Sequence, residues 1–196
     1  MLSLTTLQKI LTKKEISDDY FLQLHFCVEA VIRRLFFIGL RVKGVQYRIA
    51  QEFVQECPPG GLRNHIPLVL GFCEVDYNEL KKSGNYYDLE TLFFEFARCY
   101  RNRRVHGLSL AITDTELLKL LIAIDKSYVN ELMRTLKNLG KPSLFDNPGK
   151  WGAKRQQKKD IPVELQKLFK RRSEAPMPRE KAEKMLKEAH VYPLKG

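Results

Sequence analysis

Residues 17–39 read SDDYFLQLHFCVEAVIRRLFFIG, and their spacing decides the fold class. Tyr20, Leu24, Cys27, Val28, Val31, Ile32, Leu35 and Ile38 recur at intervals of three and four, which makes one apolar stripe on an α-helix. Ser17 stands where an N-cap is needed, and Asp18 and Asp19 complement the positive end of the helix dipole. Gly39 or Gly44 can end the helix. Working outward, Val45 to Cys57 carries a second, shorter helical pattern closed by Pro58-Pro59-Gly60-Gly61. Residues 62–84 give mixed signals and are expected to hold a short helical piece and loops. Asp88 to about His106 reads as a long helix with Leu89, Leu92, Phe93, Phe96 and Tyr100 on its apolar side, and Gly107 suits the position just past its end. Thr113-x-x-Glu116 has the form of a capping box. It opens an amphipathic helix through Leu117, Leu120, Leu121, Ile124, Tyr128, Leu132 and Leu136. No segment alternates with the period of a strand. The expected fold is all-α, an up-and-down bundle of four to five helices over residues 1–140.

The composition changes near residue 141. Gly140-Lys141-Pro142-Ser143 ends a helical pattern, and Asn147-Pro148-Gly149 is a strong turn signal. Residues 141–196 hold 15 Lys and Arg against 7 Asp and Glu, so about +8 of the net +11 lies there. This stretch is expected to be a basic, partly helical appendage, with Pro162 starting a helix over Val163 to Arg172 and Pro178 another over Arg179 to His190. Their apolar faces are thin (Val163, Leu165, Leu168 and Phe169, then Met185 and Leu186), so they need a partner surface. Trp151 either docks this linker onto the domain or stacks on a base.

A net charge of +11 in 196 residues points to a polyanion, either nucleic acid or an anionic membrane surface. The membrane is the weaker reading, because the tail helices lack a broad apolar face with bulky aromatics. No run of about 18 uncharged apolar residues exists to cross a bilayer. Met1 to Glu15 lacks the pattern of a secretory signal. Cys27, Cys57, Cys73 and Cys99 are scattered without a CxxC pair and read as reduced thiols of a cytoplasmic protein. His25, His65, His106 and His190 show no metal-ligand spacing, so neither a metal nor a cofactor is expected.

The densest chemical signal is Arg98-Cys99-Tyr100-Arg101-Asn102-Arg103-Arg104-Val105-His106-Gly107. Arginine's planar fork suits phosphate oxygens and stays charged. Histidine can take or give a proton near neutral pH. Together they can cleave RNA without a metal. One group deprotonates the ribose 2′-OH, arginine steadies the charge on the phosphorane, and a proton reaches the leaving 5′-oxygen. On an ideal helix Asn102 and His106 share a face, ~40° apart, with Arg98 one turn earlier. Arg101 and His106, five apart, are separated by ~140°. Arg101 must reach around, the last turn must distort, or a second subunit must complete the site. The plain reading is a basic helix end that complements the dipole. His25 and Glu29 are i, i+4 and form either a second shell to the site or a buried pair. Arg63-Asn64-His65 is given no role.

Arg101-Asn102-x-x-x-His106, followed by Gly107, resembles the R-x4-6-H motif of HEPN domains, in which a polar residue, often Asn, follows the Arg. The resemblance covers roughly residues 17–140. It implies a helical bundle with the motif at the end of a long helix. It implies a metal-independent endoribonuclease that leaves a 2′,3′-cyclic phosphate or 3′-phosphate, with Arg101 and His106 catalytic and Asn102 assisting. It also implies a homodimer whose two motifs meet in one cleft, and a toxin or anti-phage effector with an antitoxin or defence-system partner. Arg98, Arg103 and Arg104 would then contact RNA, joined by Lys154, Arg155, Lys158, Lys159, Lys170, Arg171 and Arg172 of the tail. The competing expectation is a non-catalytic RNA-binding or adaptor protein whose helical domain dimerises.

Overall fold

The computed structural model describes residues 3–57, 62–82, 84–108, 110–153, 160–166 and 177–189. The described residues are mostly helical, with no β-strand among them, so the fold is all-α. In chain order the α-helices are α1 (Leu4–Thr12), α2 (Asp18–Val42), α3 (Tyr47–Glu56), α4 (Ile66–Phe72), α5 (Tyr77–Lys82), α6 (Tyr86–Leu92), α7 (Arg98–Val105), α8 (Thr115–Asn138), α9 (Val163–Gln166) and α10 (Arg179–Glu188). That is more helical segments than the four or five suggested by periodicity. The additional ones are short, and 62–82 supplies two of them. No helix among the described residues is long and apolar enough to cross a membrane.

The chain divides into two compact units. The first comprises 1–28, 84–132 and 174–196, and the second 29–83 and 133–173. The boundary expected near residue 141 falls inside the second unit.

In the first unit the decisive element is the run from Tyr86 to Val105. It is one helix interrupted by a π-helical segment, Phe93–Ala97. A π turn holds one more residue than an α turn and shifts the apolar stripe around the axis. Phe93, Phe94, Phe96 and Ala97 can therefore all be buried, where a single α stripe would leave some of them in water. Phe93 lies between His25 (ring centroids 4.6 Å apart) and Tyr128 (5.0 Å). His25 is fully buried, and its Nδ1 lies 2.9 Å from Asp125 Oδ2, also fully buried. That answers the question raised by its spacing: His25 is a core residue with a partner on α8. Tyr86 donates to Glu90 at 2.5 Å inside the same core, and burial first of all holds the Tyr86 hydroxyl well above its ordinary pKa.

Two devices hold the ends of this unit. At the N-terminus, Leu7 is fully buried, and the Tyr20 hydroxyl donates to the Ile10 carbonyl at 2.7 Å. At the C-terminus, Met177, Ala182, Leu186 and Ala189 are buried. The Met177 N–H donates to the Glu95 carbonyl in the π segment at 2.8 Å, and Asn85 donates to the Ala189 carbonyl. Arg179 pairs with Asp114 at 2.7 Å. The thin apolar face of α10 thus finds the partner surface it needs, against α6.

Asp114 also corrects the expected cap. The Leu117 N–H donates to Asp114 Oδ1 at 3.0 Å, so Asp114 caps α8 and Thr113 does not. A carboxylate satisfies an orphan helix donor and favours the dipole, which a threonine hydroxyl does only in part. Ser17 caps α2 as expected, accepting the Tyr20 N–H at 3.1 Å.

In the second unit, Gly39 is required by close packing. A Cβ there would sit 2.7 Å from Val69 Cγ1, so it marks a helix contact and not the helix end, which comes at Val42. Arg34 donates to the carbonyls of Leu144 (2.9 Å) and Asp146 (3.0 Å), fastening the segment after α8. Trp151 is buried, and its indole N–H donates to the Ser143 carbonyl at 3.0 Å. Of the two roles open to it, the structure gives it the docking one. Burial raises the thiols of Cys57 and Cys73 to about 11 and about 12, so both are protonated side chains of the core.

Candidate nucleic-acid interface

α7 carries RCYRNRRV and no residue of it is fully buried. A sequence of this polarity is held helical because it continues the buried run from Tyr86 to Ala97. Its end is a Schellman closure: Gly107 takes φ +67°, its N–H donates to the Arg104 carbonyl at 3.2 Å, and the Leu108 N–H donates to the Arg103 carbonyl at 2.8 Å. Gly107 therefore does what its position in the sequence implied.

The arginines divide by what they touch. Arg104 meets Asp18 at 2.7 Å through Nε and 2.6 Å through Nη2, and the other oxygen of Asp18 accepts the Ile112 N–H at 3.3 Å. Asp18 raises the Arg104 pKa further, chiefly through that hydrogen bond. This arginine ties the end of α7 to the start of α2. Arg98 donates back to the Phe94 carbonyl at 3.3 Å and lies 6.0 Å from the Phe94 ring centroid. Arg103 is exposed.

Arg101 donates to Asn102 Oδ1 at 2.9 Å, and its guanidinium lies over the Phe26 ring, 4.6 Å from the centroid. Asn102 is thus brought together with Arg101 while occupying the helix stripe of His106. His106 is exposed, with φ −90° and ψ 10°, and its N–H donates to the Asn102 carbonyl at 3.0 Å. The helix runs regularly to this point, so the ~140° between Arg101 and His106 carries over from ideal geometry. The last turn is not distorted, and the Arg101 guanidinium reaches the Asn102 side chain. Lys154, Arg155, Lys158, Lys159, Lys170, Arg171 and Arg172 lie outside the described residues. Among the described residues, no group of three His, Cys, Asp or Glu side chains is placed to hold a metal ion.

Sequence reasoning missed Asp18 as the partner of Arg104 and missed Phe26 altogether. Phe26 is 44% exposed. Its signal was available, since it is an aromatic residue lying off the apolar stripe of α2. The fold and these residues define an all-helical protein with an exposed, arginine-rich helix end. No protein-family model, no curated protein and no solved structure matches the chain.

Proposed function

We propose that this chain is a metal-independent endoribonuclease of the HEPN type, acting in the cytoplasm as a toxin or phage-defence effector, with a helical-bundle core around the motif helix. The observation that carries this reading is the arrangement of the motif. Arg101 is pre-positioned by Asn102 and Phe26, and His106 is exposed at a glycine-closed helix end on another side of the helix. On one helix the two positions point ~140° apart. A homodimer with a two-fold axis near the end of α7 would set Arg101 of one copy against His106 of the other.

In such a cleft His106 takes the 2′-OH proton, the 2′-oxygen attacks phosphorus, and the 5′-oxygen leaves with a proton returned to it. The Arg101 fork stabilises the charge that builds on the non-bridging oxygens. Cleavage carried by side chains alone persists in EDTA. An antitoxin or defence-system partner would act by covering this helix end.

The test compares wild-type protein with His106→Ala on single-stranded RNA, alongside light scattering. Expected are cleavage that depends on His106, a 2′,3′-cyclic or 3′-phosphate product, and a dimer. RNA binding without His106-dependent cleavage would replace this reading with the non-catalytic adaptor.

A further inference from the structure

The residues that the stripe predicts to be core at the start of α2 are core: Tyr20, Leu24, Cys27 and Val28 are each no more than 9% exposed, and Phe21 beside the stripe is buried too. Phe26 is not one of them. It stands on the outer face, one turn beyond the exposed Gln23, and remains 44% exposed even with the Arg101 guanidinium over its ring. An aromatic side chain kept at a solvated helix face adds little to a core, yet here it is the support of a planar cation. That cation is fixed in orientation, because Asn102 Oδ1 holds Arg101 at 2.9 Å. Around it lie Arg98, one turn earlier on α7, and Val105, one turn later and 46% exposed. The result is a ledge with a phenyl ring, a flat guanidinium and further positive charge, on a chain of net charge +11.

These are the components of single-strand recognition: a π-face on which a base stacks whatever its identity, beside cations that take the phosphate. A protein partner is the less fitting occupant, because the ledge is cationic and matches the charge of a phosphate chain. Duplex RNA fits less well too, since its bases are stacked on one another and only unpaired bases can be splayed onto an aromatic side chain.

We propose that Phe26 is the stacking platform for an unpaired nucleobase of the RNA whose phosphate is held at Arg101, making the substrate single-stranded RNA or an RNA loop. This deepens the functional reading above and rests on it for the identity of the polyanion. Phe26 touches neither reacting atom. It sets which nucleotide, and in what register, is presented beside Arg101.

The experiment uses the full chain and a short single-stranded RNA carrying one 2-aminopurine, whose fluorescence is quenched on stacking. Wild-type protein is expected to quench it, and the matching duplex is expected to show no quenching. Phe26→Ala is expected to lose the quenching and to bind roughly 5- to 150-fold more weakly, the equivalent of about 1–3 kcal/mol for one stacked base. Phe26→Leu, which keeps apolar bulk but has no π-face, is expected to lose the quenching too, and Phe26→Trp to restore it. If Phe26→Leu binds and quenches like wild type, the platform is overturned. It is equally overturned if Phe26→Ala changes the oligomeric state and leaves quenching intact, which would make Phe26 a subunit contact. The two proposals fail separately. Quenching that depends on Phe26 without His106-dependent cleavage removes the catalysis and keeps the platform. His106-dependent cleavage with Phe26→Leu unaltered removes the platform and keeps the catalysis.

Discussion

The run from Tyr86 to Val105 is one helix with two opposite halves. From Tyr86 to Ala97 most side chains are buried, including Glu90 and four residues of the π segment. From Arg98 to Val105 none is. The first half is held by the core and the second is carried by the first. This is how a sequence of poor amphipathicity is held helical: α7 needs no core of its own, because its axis is set upstream and its end is closed by Gly107 and by Arg104 on Asp18. A substitution should therefore read out very differently on either side of Arg98.

The largest effect expected is on activity, from the exposed half. Arg101→Ala and His106→Ala should each lower RNA cleavage by roughly 10²–10⁴-fold, the usual contribution of a positioned proton-transfer group or charge stabiliser. The thermal transition of His106→Ala should stay close to wild type, since exposed substitutions mostly change stability by less than about 0.5 kcal/mol, whereas Arg101 is half-buried. Arg101 has slightly more to lose through its contact with Phe26. A variant that loses cleavage together with its cooperative transition would show that the two halves are not separable. Cleavage undiminished in His106→Ala would remove the motif from the chemistry.

On the buried half the prediction inverts. Phe93→Ala deletes a fully buried ring packed between His25 and Tyr128. It should destabilise the protein by about 3–5 kcal/mol in urea denaturation, a large share of the stability of an ordinary domain. A loss below about 1 kcal/mol would mean that the π segment is not the anchor described.

These two halves also show what a sequence discloses. In the exposed half the helical state and the closing Gly107 were legible, because both are local. The existence of α2, α3 and α8 was legible too, since their apolar stripes are long. The π segment was not, because one extra residue in a helix leaves no mark in a pattern read with period 3.6. The pairings His25–Asp125 and Arg104–Asp18 were not legible either. Each joins residues far apart in sequence, and the spacing on α2 says nothing of Asp125 as a partner of His25. The cap of α8 was missed by one residue because the helix starts at Thr115, which puts Asp114 at the N-cap with the Leu117 N–H in reach. Phe26 could be read as lying off the apolar stripe of α2, but not its contact with Arg101, which lies far along the chain.

A smaller effect concerns the C-terminal helix. Met177 bonds to the π segment, and Leu186 is 1% exposed, so α10 belongs to the buried half of the comparison although it lies in the basic tail. Leu186→Ala should cost about 2–5 kcal/mol, toward the lower end if α10 detaches and collapses no cavity. Limited proteolysis should then cut near α10 before the rest of the chain. If Leu186→Ala melts like wild type and resists protease equally, α10 contributes nothing to the anchor.

The smallest effect is one of pH, and it again sets anchor against presenter. The Asp114 carboxyl is held below its ordinary pKa, first by the Leu117 N–H it accepts and then by Arg179. A carboxyl with a depressed folded-state pKa contributes stability that is present above its unfolded value, near ~4, and is lost as pH falls through the folded value. The contribution is modest, because the pair is open to solvent and screened by salt. Urea midpoints measured between pH 6 and pH 3 should therefore fall for wild type more than for Asp114→Asn, which keeps an acceptor for the Leu117 N–H but has no charge for Arg179 to meet. Raising the salt concentration at pH 6 should narrow the gap between the two. Parallel pH profiles would show that Asp114 acts on α8 and α10 as a hydrogen-bond acceptor alone, and that its charge does not help to fasten the C-terminal helix.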